Sequence, residues 1–337
     1  MKRKRIVNGR VLEFGEGSTE FSAADDLRLV DPVLTNLAQE YRGQDLVWPH
    51  LHPEVDVPKR SIRRPLFGKE AWADTRDIAD KAKEDEARII SRTMDDETLT
   101  LPDRWLATST DYVEEEEAHE AARELLDDRA NVEFLSEMGD LWTELDAAET
   151  DMDASAYDAD HKDNVTEGQG KAWNDFTDGT PLDDLTIGIE ALEAGGISPN
   201  ICVCSTDVYW AWLRHKQFRP TNATKSVITR DDIMAILGSY GIEELHVGKA
   251  LKFDVADNSL SRAWGSGNCL LARVAKAKTQ NIKRPSFGYA LRRKGYPKVA
   301  ILTSQWKAKR VQRLWHCRKP VVTSRLAGFL FYNAISL

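Results

Sequence analysis

Residues 181–248 carry the most legible alternation of apolar and polar positions in the chain. Leu185, Ile189 and Leu192 recur at helical spacing behind Pro181, which suits the first position of a helix. Asp183 and Asp184 put negative charge at the positive end of that helix, Thr180 is placed to cap it, and Gly195-Gly196 closes it. Pro199-Asn200 then turns the chain into an unbroken apolar run, Ile201 to Cys204, short enough for a buried strand. Ser205 or Thr206 is expected to cap a second helix whose inward face is Val208, Trp212 and either Tyr209 or Leu213. Thr229 with Asp232 three residues on starts a third helix carrying Ile233, Ile236 and Leu237, stopped by Gly238, before a strand over Leu245–Val247. The predicted order is helix, strand, helix, helix, strand.

Elsewhere the pattern is looser. A basic, Gly-dotted start runs to about Asp26 and reads either as a disordered terminus or as an arm that lies along other molecules. Asp31-Pro32 introduces a short amphipathic helix to Tyr41. Leu46 to Val57 reads as a strand interrupted by Pro49 and Pro53, hence an edge or a bend. His50 and His52, with Glu54 and Asp56 on the same alternating side, are candidate metal ligands, but a polar strand face explains them more simply because no further ligand cluster is in sight. Lys59 to Val113 is extended and charged, with Arg60, Arg63 and Arg64 flanking the apolar anchors Phe67, Trp72 and Trp105, and with Thr98–Thr110 as a returning strand. Such a hairpin cannot bury a core of its own and must pack on something else. Its Lys69–Thr93 stretch looks helical. Tyr112 to about Ala154 is an acidic helix-former, with possible breaks near Asp127-Asp128 or Gly139; Leu125, Val132, Leu135, Met138, Leu141, Trp142 and Leu145 form its expected apolar stripe, and Glu and Asp fill the exposed faces.

Several of these stretches together resemble one family. Trp173-Asn-Asp-Phe176, the Pro-Leu-Asp-Asp-Leu start at 181–185, the Pro-Asn turn, the Val-Tyr-Trp-Ala-Trp-Leu helix before His215-Lys216, and Gly-Ile-Glu-Glu-Leu-His-Val-Gly at 241–248 are similar to the major capsid proteins of tailed double-stranded DNA bacteriophages. Arg325-Leu-Ala-Gly328 running into Phe329–Ile335 is similar to the apolar strand with which many such coat proteins close. The resemblance covers roughly the last half of the chain, with weaker matches earlier, and none of its motifs is catalytic. It implies an α+β fold with an N-terminal arm (1–45), a peripheral domain (first strand 46–58, acidic spine helix within 113–180, C-terminal strands 311–337), an extended loop (59–112) and an axial domain (181–310).

Charge sharpens the expectation. The chain has 46 Lys plus Arg against 55 Asp plus Glu, a net −9 that hides a reversal. Asp111–Asp163 holds 20 acidic and 3 basic residues, and Lys249–Arg325 holds 19 basic and 2 acidic. Complementary surfaces between subunits are favoured over direct DNA contact, because the basic residues are spread over several strands with no recognition helix. The run Glu114, Glu115, Glu116 and Glu117 reads as a solvated face, and with Arg60, Arg63, Arg64, Phe67, Trp72 and Trp105 it completes the candidate interface residues. Ten tryptophans suit a core and subunit contacts alike. The four cysteines lack Cys-x-x-Cys spacing and read as buried free thiols.

Enzyme chemistry is not signalled. There is no phosphate loop, Gly265-x-Gly267 and Gly168-x-Gly170 lack the context of a dinucleotide site, no Gly-x-Ser-x-Gly elbow occurs, and Asp158–Asp163 is an incomplete calcium loop. No catalytic residue, cofactor or metal is therefore nominated. No apolar run reaches transmembrane length, and no membrane partner is expected. The resemblance implies pentamers and hexamers tiling an icosahedral head in the virion, assembled in the host cytoplasm around packaged double-stranded DNA held non-specifically. The stretch before the first strand is short for a fused scaffolding domain, so a separate scaffolding protein is expected, with a portal and a decoration protein as further partners. An encapsulin-like shell around cargo enzymes is the first rival, and a soluble oligomeric enzyme the second.

Overall fold

The computed structural model describes residues 3–7, 10–14, 30–40, 46–69, 72, 95–111, 127–166, 171–219, 228–254, 256–275, 284–304 and 309–336. Within the N-terminal stretch that reads as a disordered terminus or an arm, β1 (Arg3–Val7) pairs antiparallel with β2 (Arg10–Phe14). The signal was present in Asn8-Gly9, the dipeptide that two-residue hairpin loops prefer. α1 (Pro32–Glu40) starts as expected, with Asp31 Oδ1 accepting from Val33 N at 2.8 Å and Leu34 N at 3.0 Å.

The 46–57 segment is not one interrupted strand. It holds a helical turn, α2 (Trp48–Leu51), with Pro49 in its first turn, and only then β3 (Glu54–Val57). Nor is Thr98–Thr110 one strand. β4 (Ser61–Leu66) pairs with β5 (Asp95–Thr100), and after Leu101 the chain starts β6 (Arg104–Asp111), which joins a different sheet. The proposed helix at Lys69–Thr93 lies outside the described residues except for Lys69 and Trp72. The acidic helix is α3 (Asp128–Asp151), continuous through Gly139; residues 112–126 lie outside the described residues.

β7 (Lys162–Asn164) follows, then α4 (Pro181–Ala194), β8 (Ile201–Ser205), α5 (Thr206–Trp212), α6 (Arg230–Ser239) and β9 (Glu244–Gly248), the expected order. Thr229 and Asp232 form a reciprocal capping box on α6, which runs one residue past Gly238. At α4 a distant side chain does the capping, and at α5 Thr206 instead ties the helix start to β9. Thr180 and Ser205 accept no capping bond; Gln217 Oε1 accepts from Leu182 N at 3.0 Å, and Thr206 Oγ1 donates to Gly248 O at 2.9 Å. Asp183 and Asp184 lie in the first turn of α4 as expected, and Asp184 is buried and accepts from Trp173 Nε1 at 2.7 Å. The remaining strands are β10 (Leu251–Asp254), β11 (Ser259–Arg262), β12 (Cys269–Ala272), β13 (Gly288–Arg293), β14 (Lys298–Ser304), β15 (Lys309–His316), β16 (Arg318–Val322) and β17 (Gly328–Tyr332).

Two compact units result, the first made of 1–41, 105–136 and 297–316, the second of 42–104, 137–296 and 317–337. The first centres on the sheet β14-β15-β6, with Ala38, Val132, Leu135, Val299 and Leu314 as its core. The second is organised by the five-stranded sheet β7-β17-β12-β8-β9. Its central strands read as unbroken apolar runs because both faces are covered. Cys202, Cys204, Cys269, Leu271, Phe329 and Phe331 meet α4, α5 and α6 through Leu185, Ile189, Val208, Trp212 and Ile233. On the other face Ile201, Val203, Leu270 and Leu330 pack with Trp48, Leu51, Ala147, Trp264 and Phe287. β17, expected with the peripheral strands, thus lies in the same sheet as β8 and β9. All four cysteines are buried free thiols, and burial pushes Cys317 up to about 12.

Candidate functional site

The second unit contains two regions of opposite character, a sealed polar seam and an exposed hairpin. The seam runs along α3, whose buried face there is not the expected apolar stripe. Met138, Leu141, Trp142 and Leu145 are only half-buried, and Asp140, Thr143, Glu144, Ala147, Ala148 and Asp151 face inward instead. Each charged member has a hydrogen-bond partner. Arg318 of β16 donates to Asp140 and, at 2.9 Å and 3.1 Å, to Thr143 Oγ1; it also reaches Glu54 Oε1 at 3.3 Å and lies 4.3 Å from the centre of the Trp48 ring.

Glu144 supplies the N-terminal cap that α2 lacks on its own chain segment. Its carboxylate accepts from Val47 N at 3.1 Å, Trp48 N at 2.8 Å and Trp264 Nε1 at 2.6 Å. Burial raises the Glu144 carboxyl above its ordinary range, and these donors only partly offset it. His52 Nε2 meets Asp151 Oδ2 at 2.7 Å with both side chains fully buried. Room for that imidazole exists only because residue 288 is glycine: a Cβ there would sit 2.3 Å from His52 Nδ1 and 2.8 Å from Val321 O. His52 is therefore not on a polar strand face with His50, Glu54 and Asp56. The sequence signal that could have revealed the seam is the recurrence of small and polar residues every three or four positions on α3.

The candidate interface residues fall into separate places. Arg60 Nε donates to Leu101 O at 2.8 Å and its guanidinium pairs with Asp103 at 3.0 Å, closing the base of the β4–β5 hairpin. Arg64 pairs with Glu97 across the hairpin and donates to Val322 O at 2.9 Å. Arg63 is exposed on β4. Phe67 is buried within its own chain, its N–H donating to Thr323 O at 3.0 Å and its carbonyl accepting from Ser324 Oγ at 3.0 Å. Trp72 packs half-buried on the core face that holds Trp48 and Trp264. In the first unit Trp105 is 61% exposed, with the Arg313 guanidinium 5.1 Å from its ring centre. Glu114, Glu115, Glu116 and Glu117 lie outside the described residues.

Some of the basic residues of 249–325 meet acidic partners within the chain, three of them in the acidic segment 111–163. Arg310 pairs with Asp128 and Lys309 with Asp111 in the first unit; Arg292 with Glu54 and Asp56, Arg262 with Asp207, and Arg318 with Asp140 in the second.

The exposed region is the hairpin β10–β11. Its register sets Phe253 opposite Leu260 and Leu251 opposite Arg262, so one face carries Leu251, Phe253 and Leu260 together. They are 47%, 54% and 67% exposed, and every residue of both strands is exposed. A lone two-stranded ribbon is marginal in water, and this one offers an apolar face for something else to cover. Trp210, on the outward side of α5, is exposed as well. Composition did not single out these residues.

The chain is 28% identical over 318 residues to the major capsid protein of Burkholderia phage BcepMu, covering 90% of this chain and 96% of that one. The chain is a homologue of phage major capsid proteins. Its fold is the tailed-phage capsid fold, and its role is that of a capsid-shell subunit present in many copies. A phage-related protein from Bordetella bronchiseptica superimposes with a TM-score of 0.74 at 24% identity over 91% of this chain and 98% of its own. A structure from Microbacterium phage Oxtober96 does so at 0.50 and 10% identity, over 92% and 98%. A virus-like particle from Pyrococcus furiosus also matches at 0.50 and 11%, over 90% and 98%, so the fold alone does not separate phage heads from other shells. No family model matches the chain.

Proposed function

We propose that the capsid homologue assembles as pentamers and hexamers into an icosahedral head that encloses double-stranded phage DNA, and that assembly takes place in the host cytoplasm. The observation that carries the assembly reading is the β10–β11 hairpin: three apolar side chains share one exposed face of a ribbon too small to hold itself. The N-terminal arm (1–45) and the extended loop (59–112), whose β4–β5 hairpin presents Arg63, supply further contacts between subunits. The role is structural, and the other partners are a separate scaffolding protein, a portal and a decoration protein. The seam supports this reading, because a subunit exchanging neighbours during head assembly needs a body held together by its own pairs. Sedimentation and negative-stain microscopy of the purified full chain test it: capsomers or megadalton shells are expected, and nucleic acid rather than protein cargo when particles are recovered from infected or induced cells. Shells that retain a cargo enzyme would favour the encapsulin-like reading.

A further inference from the structure

The sequence offered His50 and His52 as candidate metal ligands on one strand face. The fold separates them and gives His50 different company. His50 lies on α2; Glu244 and His246 lie two residues apart on β9 and so share one side of that strand. The imidazoles of His50 and His246 stack with ring centres 3.9 Å apart and planes 25° apart. Both approach the same carboxylate oxygen: His246 Nε2 is 3.0 Å from Glu244 Oε2, and His50 Nδ1 is 3.6 Å from it. One donor atom from each of the three residues lies within 4.8 Å of the other two. The two histidines line a cavity of about 280 Å³ shared with Tyr209, Arg230 and Lys249, which leaves room for a water beside the cluster. Arg230 is turned to the backbone, donating to Leu245 O at 2.8 Å.

We infer that His50, Glu244 and His246 form a binding site for a borderline divalent transition metal, with zinc as the best-suited ion. Two imidazole nitrogens and one carboxylate are a three-residue zinc set that keeps a fourth position for water. Magnesium and calcium are excluded as the natural occupants because they take oxygen donors, and two of the three donors here are nitrogen. A metal here fastens α2, whose first residues are already held by Glu144, to β9, the edge strand of the five-stranded sheet. It acts as a clasp between two segments about 195 residues apart in sequence.

The site is tested on the full chain after chelator treatment, by competing zinc against a colorimetric chelator and by following thermal unfolding with and without added ion. The expected result is one zinc per chain with a Kd of about 10 µM or tighter, and a rise in melting temperature that grows with free zinc. His50→Ala and Glu244→Ala, both at half-exposed side chains, are expected to melt like the metal-free parent and to bind at least about tenfold more weakly. Cobalt(II) added in place of zinc is expected to give ligand-field bands without thiolate charge transfer. Zinc binding that both substitutions leave unchanged, a thiolate band that assigns the metal to a cysteine, or no binding at about 100 µM zinc would each overturn the proposal.

Discussion

The seam along α3 and the β10–β11 hairpin belong to the same compact unit and solve opposite problems. The seam buries Asp140, Glu144, Asp151, His52 and Arg318, groups that cost most when removed from water, and gives every one a partner from its own chain. The hairpin leaves Leu251, Phe253 and Leu260, groups that gain most by leaving water, without cover from the described residues of that chain. A polypeptide selected only to fold alone would be expected to treat these residues the other way round. The difference marks which part of the subunit is complete in itself and which part is completed by a neighbour.

The largest effect on folding is expected in the seam. Arg318→Ala leaves Asp140 and Glu54 facing a vacated space, and breaking one side of a buried ion pair costs about 3–5 kcal/mol. Urea unfolding of dissociated subunits measures this, and a loss below about 1 kcal/mol would place the Arg318 contacts among ordinary surface pairs.

Glu144→Gln is next, at about 2 kcal/mol, because an amide NH2 would face one of the three N–H donors. It also carries a pH signature. The folded-state pKa of Glu144 is raised by burial, so between the ordinary carboxylate range and that raised value the folded chain binds more proton at this group than the unfolded chain does. The stabilisation is full below the ordinary carboxylate range and is lost as pH rises through the raised value. Subtracting the Glu144→Gln pH profile from that of the parent should reveal this falling component. A difference that does not change with pH would contradict the protonation account.

Local chemistry made half of this architecture readable. Asp31 before Pro32, the Thr229–Asp232 box and the Ile201–Cys204 run act over a few residues, and each appears where its pattern points. The seam was hidden because its pairs span great sequence distances: Arg318 and Asp140 are 178 residues apart, Trp264 and Glu144 are 120 apart. A helical wheel assigns Asp and Glu to solvent by default, and nothing near them in sequence announces the buried arginine. The same blindness made α2 look like strand, since the carboxylate that caps it lies on another helix. The charge reversal suggested complementary subunit surfaces, but several of its basic residues meet acidic partners inside their own unit. The exposed apolar face of β10–β11 adds a contact surface that does not depend on charge.

That face gives the most direct test. Phe253→Ser combined with Leu260→Ser changes two exposed side chains, and surface substitutions of this kind move subunit stability by about 0.5 kcal/mol or less each. Sedimentation velocity of this variant beside the parent, with thermal unfolding of both in dissociating conditions, reads assembly and folding separately. The account predicts unfolding transitions that nearly coincide, with capsomers and shells formed by the parent and lost or strongly reduced in the variant. A variant that assembles as the parent does, or a parent that stays monomeric across protein and salt concentration, would contradict it.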